Sequence, residues 1–165
     1  MSKESTKKLY LSLLKAIFVA FLFSQRHMGI AVVFLLLALL FWIPYSFYTM
    51  FRRPDIRYTQ LSSVSIWVVA FAVIVGDHYH LHKTTRQNAN KIAMAITHFS
   101  DTHGHYPATL DEMGITHDHL VEKLGLSGYF LRDNGRPDFY YAVTFTVFDT
   151  YKYNFSEKTW VYDAD

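Results

Sequence analysis

Long apolar runs fill the first half of the chain, whereas polar and apolar residues alternate in the second half. Between Gly29 and Met50 no residue carries a formal charge. As a helix this segment extends roughly 33 Å, close to the ~30 Å hydrocarbon core of a bilayer. A helix in a soluble core is seldom apolar on every face over such a length. The pattern therefore predicts a transmembrane helix over residues 29–50.

Two further apolar segments lie on either side of this helix. The later segment, residues 62–81, ends in a polar Asp77-His78 boundary and is also predicted to span the membrane. The earlier segment, residues 9–25, is shorter, and its Lys8, Ser12 and Lys15 fall on one helical face. It is either a helix lying in the membrane interface or a short span whose lysines reach back to water.

Basic residues predict the orientation. They cluster at the N-terminus and in the loop between the two clear spans. These residues are Lys3, Lys7, Lys8, Arg52, Arg53 and Arg57. Short loops rich in such residues stay in the cytoplasm, and both clusters can do so only if residues 9–25 also cross. We expect a three-span protein of the bacterial inner (cytoplasmic) membrane with a periplasmic or extracellular C-terminal domain. A two-span alternative would leave that domain in the cytoplasm.

The chain is thus predicted to have a membrane anchor, residues 1–81, and a soluble α+β domain, residues 82–165. Apolar residues recur at helical spacing from Ala89 to Phe99, and no proline lies between Ser62 and Phe99, which predicts one long helix. After Gly128 the period becomes two. Strands are predicted at 129–131, 139–147, 151–155 and 159–162. The expected fold is a long spine helix packed on an antiparallel sheet of three or four strands.

The segment from Ile92 to Met113 resembles the pilin-like family, which includes the pseudopilins of type II secretion. The motif residues are Gly104, Tyr106, Pro107 and Leu110. The resemblance implies a pilin-like domain over residues 62–163, in which the glycine ends the spine helix and the proline directs the departing chain. Pilins also begin with a leader, a peptidase site and a glutamate at the fifth mature position. No such pattern precedes Val64, so the resemblance implies a fold more than a filament role.

Composition excludes several classes of chemistry. The chain has no cysteine, which rules out disulfides, thiolate zinc sites and cysteine nucleophiles. The net charge is only +2, and the basic residues lie near the ends of apolar segments, so nucleic acid is not an expected partner. No nucleophile elbow or phosphate-binding glycine loop occurs, and Asp111 with Glu112 fits a helix start. We expect no enzyme activity and no cofactor.

Nine histidines offer one route to metal chemistry. On a helix, His78 and His82 share a face four residues apart, and Asp77 lies beside them, so the three could hold zinc or another divalent metal. The alternative interpretation is that they are ordinary interfacial histidines.

The late aromatic run has two interpretations: a core with ordinary amphipathic tyrosines around it, or a surface for protein binding. Alternation places Tyr141 on one face of the sheet and Tyr140 on the other, so one set packs on the helix while the other stays exposed. The candidate partner-binding residues are Tyr140, Tyr151, Tyr153, Trp160 and Tyr162.

Four functions follow as hypotheses. The preferred one is a membrane-anchored, non-enzymatic binding protein, specifically an immunity protein that neutralises a toxin acting at the membrane or in the periplasm. The alternatives are an accessory subunit of a pilus or type II-like secretion apparatus, and a histidine-based metal or pH sensor. The fourth is a structural membrane subunit whose soluble domain only docks a larger complex.

Overall fold

The computed structural model describes residues 3–146 and 148–164 of the chain. The chain forms two compact units, the first ending at Tyr79 and the second beginning at His80. Three helices account for most of it: α1 (Lys3–Phe23), α2 (Gly29–Arg52) and α3 (Arg57–His103). The long helix predicted from the absence of proline is confirmed, and its residues contribute to both units.

In the first unit, α1 runs beside α3 in the same direction. Ser12 and Ser63 share a hydrogen bond of 3.0 Å, and farther along the ring Nε2 of His78 donates to the Phe23 carbonyl at 2.8 Å. The short 3₁₀ helix Pro54–Ile56 turns the chain between α2 and α3, so α2 runs the opposite way. Consequently the beginning of α1, the end of α2 and the beginning of α3 lie at the same end of the bundle.

Two helical stretches in the described part of the chain are long and apolar enough to cross a membrane. They are Gly29–Arg52, with a mean hydropathy of 2.4, and Pro54–His103, whose most apolar window has 1.8. Only 17% of each apolar window is buried within the protein. Phe41 of α2, for example, is 76% exposed. The core helix of a soluble protein would bury most of such a window.

The second unit contains a four-stranded antiparallel sheet whose strands follow one another in sequence order. The strands are β1 (Gly128–Leu131), β2 (Pro137–Ala142), β3 (Thr150–Asn154) and β4 (Thr159–Asp163). The predicted α+β class and antiparallel meander are confirmed. A long helix packed with this sheet gives a layout that is loosely pilin-like.

One predicted strand is too long. β2 ends at Ala142, although alternation had carried it to Val147, a residue outside the described ranges. The Val143 N–H donates to the Asp149 carbonyl at 2.9 Å, and the Thr146 hydroxyl donates to the Asp149 carboxylate at 2.9 Å. These local side-chain bonds favour a turn over a continued ladder.

The core of the second unit lies between α3 and the sheet. Ala89, Ala93 and Ile96 of α3 are fully buried, as are Phe139 and Tyr141 of β2. The two alanines let the helix approach the sheet closely, and the large rings of β2 fill the space beside them. The helical spacing recognised in the sequence therefore marks the face of α3 that meets the sheet.

The motif of the pilin resemblance closes this core at the end of α3. Gly104 has a φ of +76° and its N–H donates to the Ser100 carbonyl at 2.9 Å, which ends the helix. Pro107 and Leu110 are buried, and the Tyr106 ring lies 5.4 Å from the ring of Phe155. All four motif residues thus serve the fold.

Two short turns follow the motif. Leu110–Met113 is a 3₁₀ helix, and His119–Lys123 is one turn of π-helix. The side chain of Thr109, at the cap position, makes no capping bond. Instead, the Glu112 carboxylate accepts the Ala108 N–H at 3.2 Å, so the acidic residue satisfies the backbone here.

Tyr129 connects the motif to the sheet, and its phenol is expected to make the stability of the fold sensitive to alkali. Its hydroxyl donates to the Pro107 carbonyl at 2.6 Å, and burial raises the pKa of this phenol to about 12. The folded state binds the phenol proton of Tyr129 more tightly than the unfolded state does. The stability that the protonated phenol contributes is therefore complete below pH 10 and is lost as the pH rises toward 12. We expect Tyr129→Phe to lower the free energy of unfolding by about 1 kcal/mol at pH 7 and to reduce the further loss of stability at alkaline pH. Thermal melts of the full chain in detergent at several pH values measure both effects.

The control for this prediction is Tyr140→Phe, which removes a hydroxyl from the other face of the same sheet. If the two variants melt alike at pH 7, the bond to Pro107 contributes nothing specific.

Candidate partner-binding surface

The strand register divides the candidate partner-binding residues between the two faces of the sheet. Phe139 pairs with Tyr129 and Tyr141 with Tyr151, which in turn pairs with Tyr162. These residues, together with Tyr153 and its partner Trp160, point toward α3. Tyr140 instead pairs with Lys152, which pairs with Val161, and these three lie on the outer face. Four of the five candidates therefore share the helix side of the sheet, and Tyr140 stands apart from them.

Arg86 of α3 holds the aromatic residues of the inner face in place. Its guanidinium lies 5.2 Å from the centre of the Tyr151 ring and 5.1 Å from that of Trp160, and it donates to the Tyr141 hydroxyl at 3.3 Å. The Trp160 indole N–H donates to the Asn90 side chain at 2.7 Å. Burial raises the pKa of the Tyr141 phenol, against the opposing effect of Arg86. Tyr151 and Trp160 thus serve mainly as internal contacts.

Tyr162 differs from the other inner-face candidates because it is 51% exposed on the edge strand β4. The Asp149 carboxylate raises the pKa of the Tyr162 phenol. Asp149 lies in the loop between β2 and β3, where Phe148 is also exposed. An edge aromatic of this kind is available to a partner without any rearrangement of the core.

The outer face carries an apolar patch that the sequence did not identify. We call Phe130, Tyr140 and Val161 the outer patch. Phe130 is 47% and Val161 49% exposed, and the rings of Phe130 and Tyr140 meet edge to face at 6.5 Å. Tyr140 also lies over Gly128, where an added Cβ would come within 3.3 Å of its hydroxyl. The glycine thus leaves room for the ring.

Two ion pairs lie on the same face as the outer patch. Arg132 pairs with Asp138, which lies opposite Phe130, and Lys152, which lies between Tyr140 and Val161, pairs with Asp163. The outer face therefore combines apolar side chains with charged groups, and both kinds of group take part in protein–protein interfaces. Alternation in β1 and β4 could have indicated Phe130 and Val161, but only the strand register places them beside Tyr140.

The structure does not assemble the predicted metal ligands. Among the described residues, no group of three or more histidine, cysteine, aspartate or glutamate side chains is placed to hold a metal ion, so Asp77, His78 and His82 form no such group. His78 uses its Nε2 to donate to the Phe23 carbonyl. The ring of His82 lies 6.2 Å from the ring of Tyr151.

Comparisons with models of protein families, with curated proteins and with solved structures found no match to this chain. A functional conclusion therefore rests on the residues and contacts of this chain alone.

Proposed function

We propose that this chain is a membrane-anchored, non-enzymatic protein-binding protein with its C-terminal domain outside the cytoplasm. The proposal rests on the presence in one chain of two exposed apolar helices and of a second unit whose sheet carries the outer patch. Lipid would cover the helices, since monomeric soluble proteins rarely expose such large apolar surfaces. Partly exposed aromatic side chains are favoured anchors for a protein partner.

The arrangement of the first unit supports three spans. α1 runs along the apolar part of α3, from the Ser12–Ser63 bond to the contact between Phe23 and His78. If α3 crosses the bilayer, α1 lies at the same depth and crosses with it. The beginnings of α1 and α3 and the end of α2 share one end of the bundle. All six basic residues of the two predicted clusters therefore lie at that end, and an excess of Lys and Arg is typical of the cytoplasmic side.

Within this class, we propose an immunity protein that neutralises a toxin acting at the membrane or in the periplasm. Such a protein needs an anchor and one binding surface but no chemistry. The outer patch would occupy the toxin's surface, with Tyr140 and Phe130 as central contacts. The ion pairs on the same face would favour one partner over others.

A second candidate is an accessory subunit of a pilus or type II-like secretion apparatus. The loosely pilin-like layout of the second unit favours it. The partner would then be another subunit of that apparatus.

Photo-crosslinking in living cells tests the proposal and separates the two candidates. A photoreactive amino acid is placed in the full chain at Phe130, Tyr140 or Val161, and at Met94 as control. Met94 is a 61% exposed residue of α3. We expect the three outer-patch positions, and not Met94, to crosslink to the same protein. We also expect Phe130→Ala with Tyr140→Ala to leave cells sensitive to the captured toxin.

The identity of the captured protein decides between the candidates. Capture of a secretion or pilus subunit would support the accessory function and refute the immunity function. Crosslinks of equal strength from Met94 and the outer patch would refute the outer patch as the binding surface.

A further inference from the structure

The first unit contains an open cleft between its three helices. It has a volume of 410 Å³. Its apolar lining includes Leu11 of α1, Leu39 and Trp42 of α2, and Trp67 of α3. The two tryptophans are half-buried, so part of each ring faces the cleft. A cleft of this size and lining suits an acyl chain.

Lysines give this cleft a charged border. Lys8 and Lys15 of α1 both line it, and Ser12 lies between them on the same face of the helix. Two ammonium groups beside an apolar cleft complement an anionic headgroup joined to an acyl chain. Lys8 also pairs with Glu4 at 2.7 Å, an exposed i, i+4 ion pair that partly offsets its charge. Among the described residues, no ion pair involves Lys15.

A second cleft in the same unit lacks this border. Its volume is 460 Å³, and it is lined by apolar residues of α1 and α3, such as Ile17 and Val73. Its charged lining residue is Asp77, and it has no lysine or arginine. An anionic headgroup would be repelled there, so the unit offers two clefts of similar size and opposite charge.

We propose that the first cleft binds an anionic phospholipid of the cytoplasmic leaflet, with its headgroup at Lys8 and Lys15 and an acyl chain against Trp42 and Trp67. This inference rests on the proposed membrane anchor, which places the lysine-bearing beginning of α1 at the cytoplasmic side. Basic pockets between membrane helices on that side bind anionic headgroups. The lipid would fill the space between α1, α2 and α3 and hold the three together.

Tryptophan quenching by brominated lipids tests the proposal on the full chain. Nanodiscs contain phosphatidylcholine and phosphatidylglycerol, and only one of the two carries brominated acyl chains, which quench indoles on contact. We expect brominated phosphatidylglycerol to quench more than brominated phosphatidylcholine at the same mole fraction. Lys15→Gln should reduce this preference roughly five-fold, which corresponds to the contribution of one cation near the membrane surface.

Three further variants control the measurement. Lys7→Gln removes the same charge from the same helix without changing the cleft, and should preserve the preference. Lys15→Arg should also preserve it, while Glu4→Gln should increase it because Lys8 loses its partner. The increase is a result that mere damage to the bundle would not produce.

The possible failures are distinct. Equal quenching by the two lipids, or an equal loss in Lys7→Gln and Lys15→Gln, would overturn the lipid site and leave the membrane anchor standing. If neither lipid quenches, the tryptophans do not meet a bilayer, and the proposed membrane anchor fails together with the lipid site.

Discussion

Replacing Leu37 and Leu40 together by arginine is expected to move the C-terminal domain to the other side of the membrane. Both side chains lie near the middle of α2, where Leu37 is 45% and Leu40 61% exposed. An arginine in the middle of a membrane helix costs about 3 kcal/mol, so the pair opposes insertion by about 6 kcal/mol. With α2 excluded, α1 and α3 remain as two spans, and the end of the chain returns to the cytoplasm.

A reporter fused after Asp165, active only outside the cytoplasm, measures this change. We expect activity in the unaltered chain and its loss in the double variant. Tyr58→Arg is the matched control, because Tyr58 is 83% exposed near the beginning of α3, outside the predicted spans, and should preserve the activity. On a water-soluble protein the two exposed leucines could become arginine at a cost of about 0.5 kcal/mol each or less. An unchanged reporter, or a chain soluble without detergent, would therefore refute the anchor.

Phe139→Ala is expected to be the most destabilising single substitution in the sheet domain. Phe139 of β2 is fully buried in the core between the sheet and α3, and its ring lies 5.6 Å from that of Trp160. Truncating a buried phenylalanine costs about 3–5 kcal/mol, because the core loses apolar burial and gains a cavity. A domain of this size has a total stability of about 5–15 kcal/mol, so a large share would be lost. Urea unfolding of the full chain in detergent, followed by near-ultraviolet circular dichroism, measures the change.

Phe130→Ala provides the comparison. It removes the same ring from β1, on the outer face, where Phe130 is about half exposed and meets Tyr140. We expect a cost of about 1 kcal/mol, the value of an aromatic pair. Equal costs at the two positions would contradict the assignment of inner and outer faces. A loss of partner crosslinking in Phe130→Ala, with the fold retained, would locate binding energy in the outer patch.

The helices could be predicted well because each depends on a local pattern. The uncharged run from Gly29 to Met50 corresponds to α2, and the absence of proline between Ser62 and Phe99 corresponds to a single α3. Gly104 ends α3 as predicted because its positive φ suits a residue without a side chain. The antiparallel order of the strands also followed from alternation and turn residues, which left their number at three or four.

The face of the sheet on which each aromatic side chain lies depends on contacts between residues distant in the sequence. Tyr151 and Trp160 were proposed as partner-binding residues, yet Arg86, far away in sequence, draws both toward α3. Phe130 and Val161 were not proposed at all, and they join Tyr140 only through the pairing of four strands. A tyrosine suits a core and an interface equally well, so its neighbours decide its role.

The sequence by itself determined the elements of this protein: apolar helices long enough for a bilayer, a spine helix ended by glycine, and a meander of short strands. Hydrophobic period and turn chemistry act over a few residues, so these elements can be predicted from the sequence alone. Only the tertiary structure decided that the two basic clusters lie at the same end of the bundle, where the lysine-bordered cleft opens, and which aromatic residues face outward. Those features depend on helix direction and strand register, which are set by contacts between residues distant in the sequence.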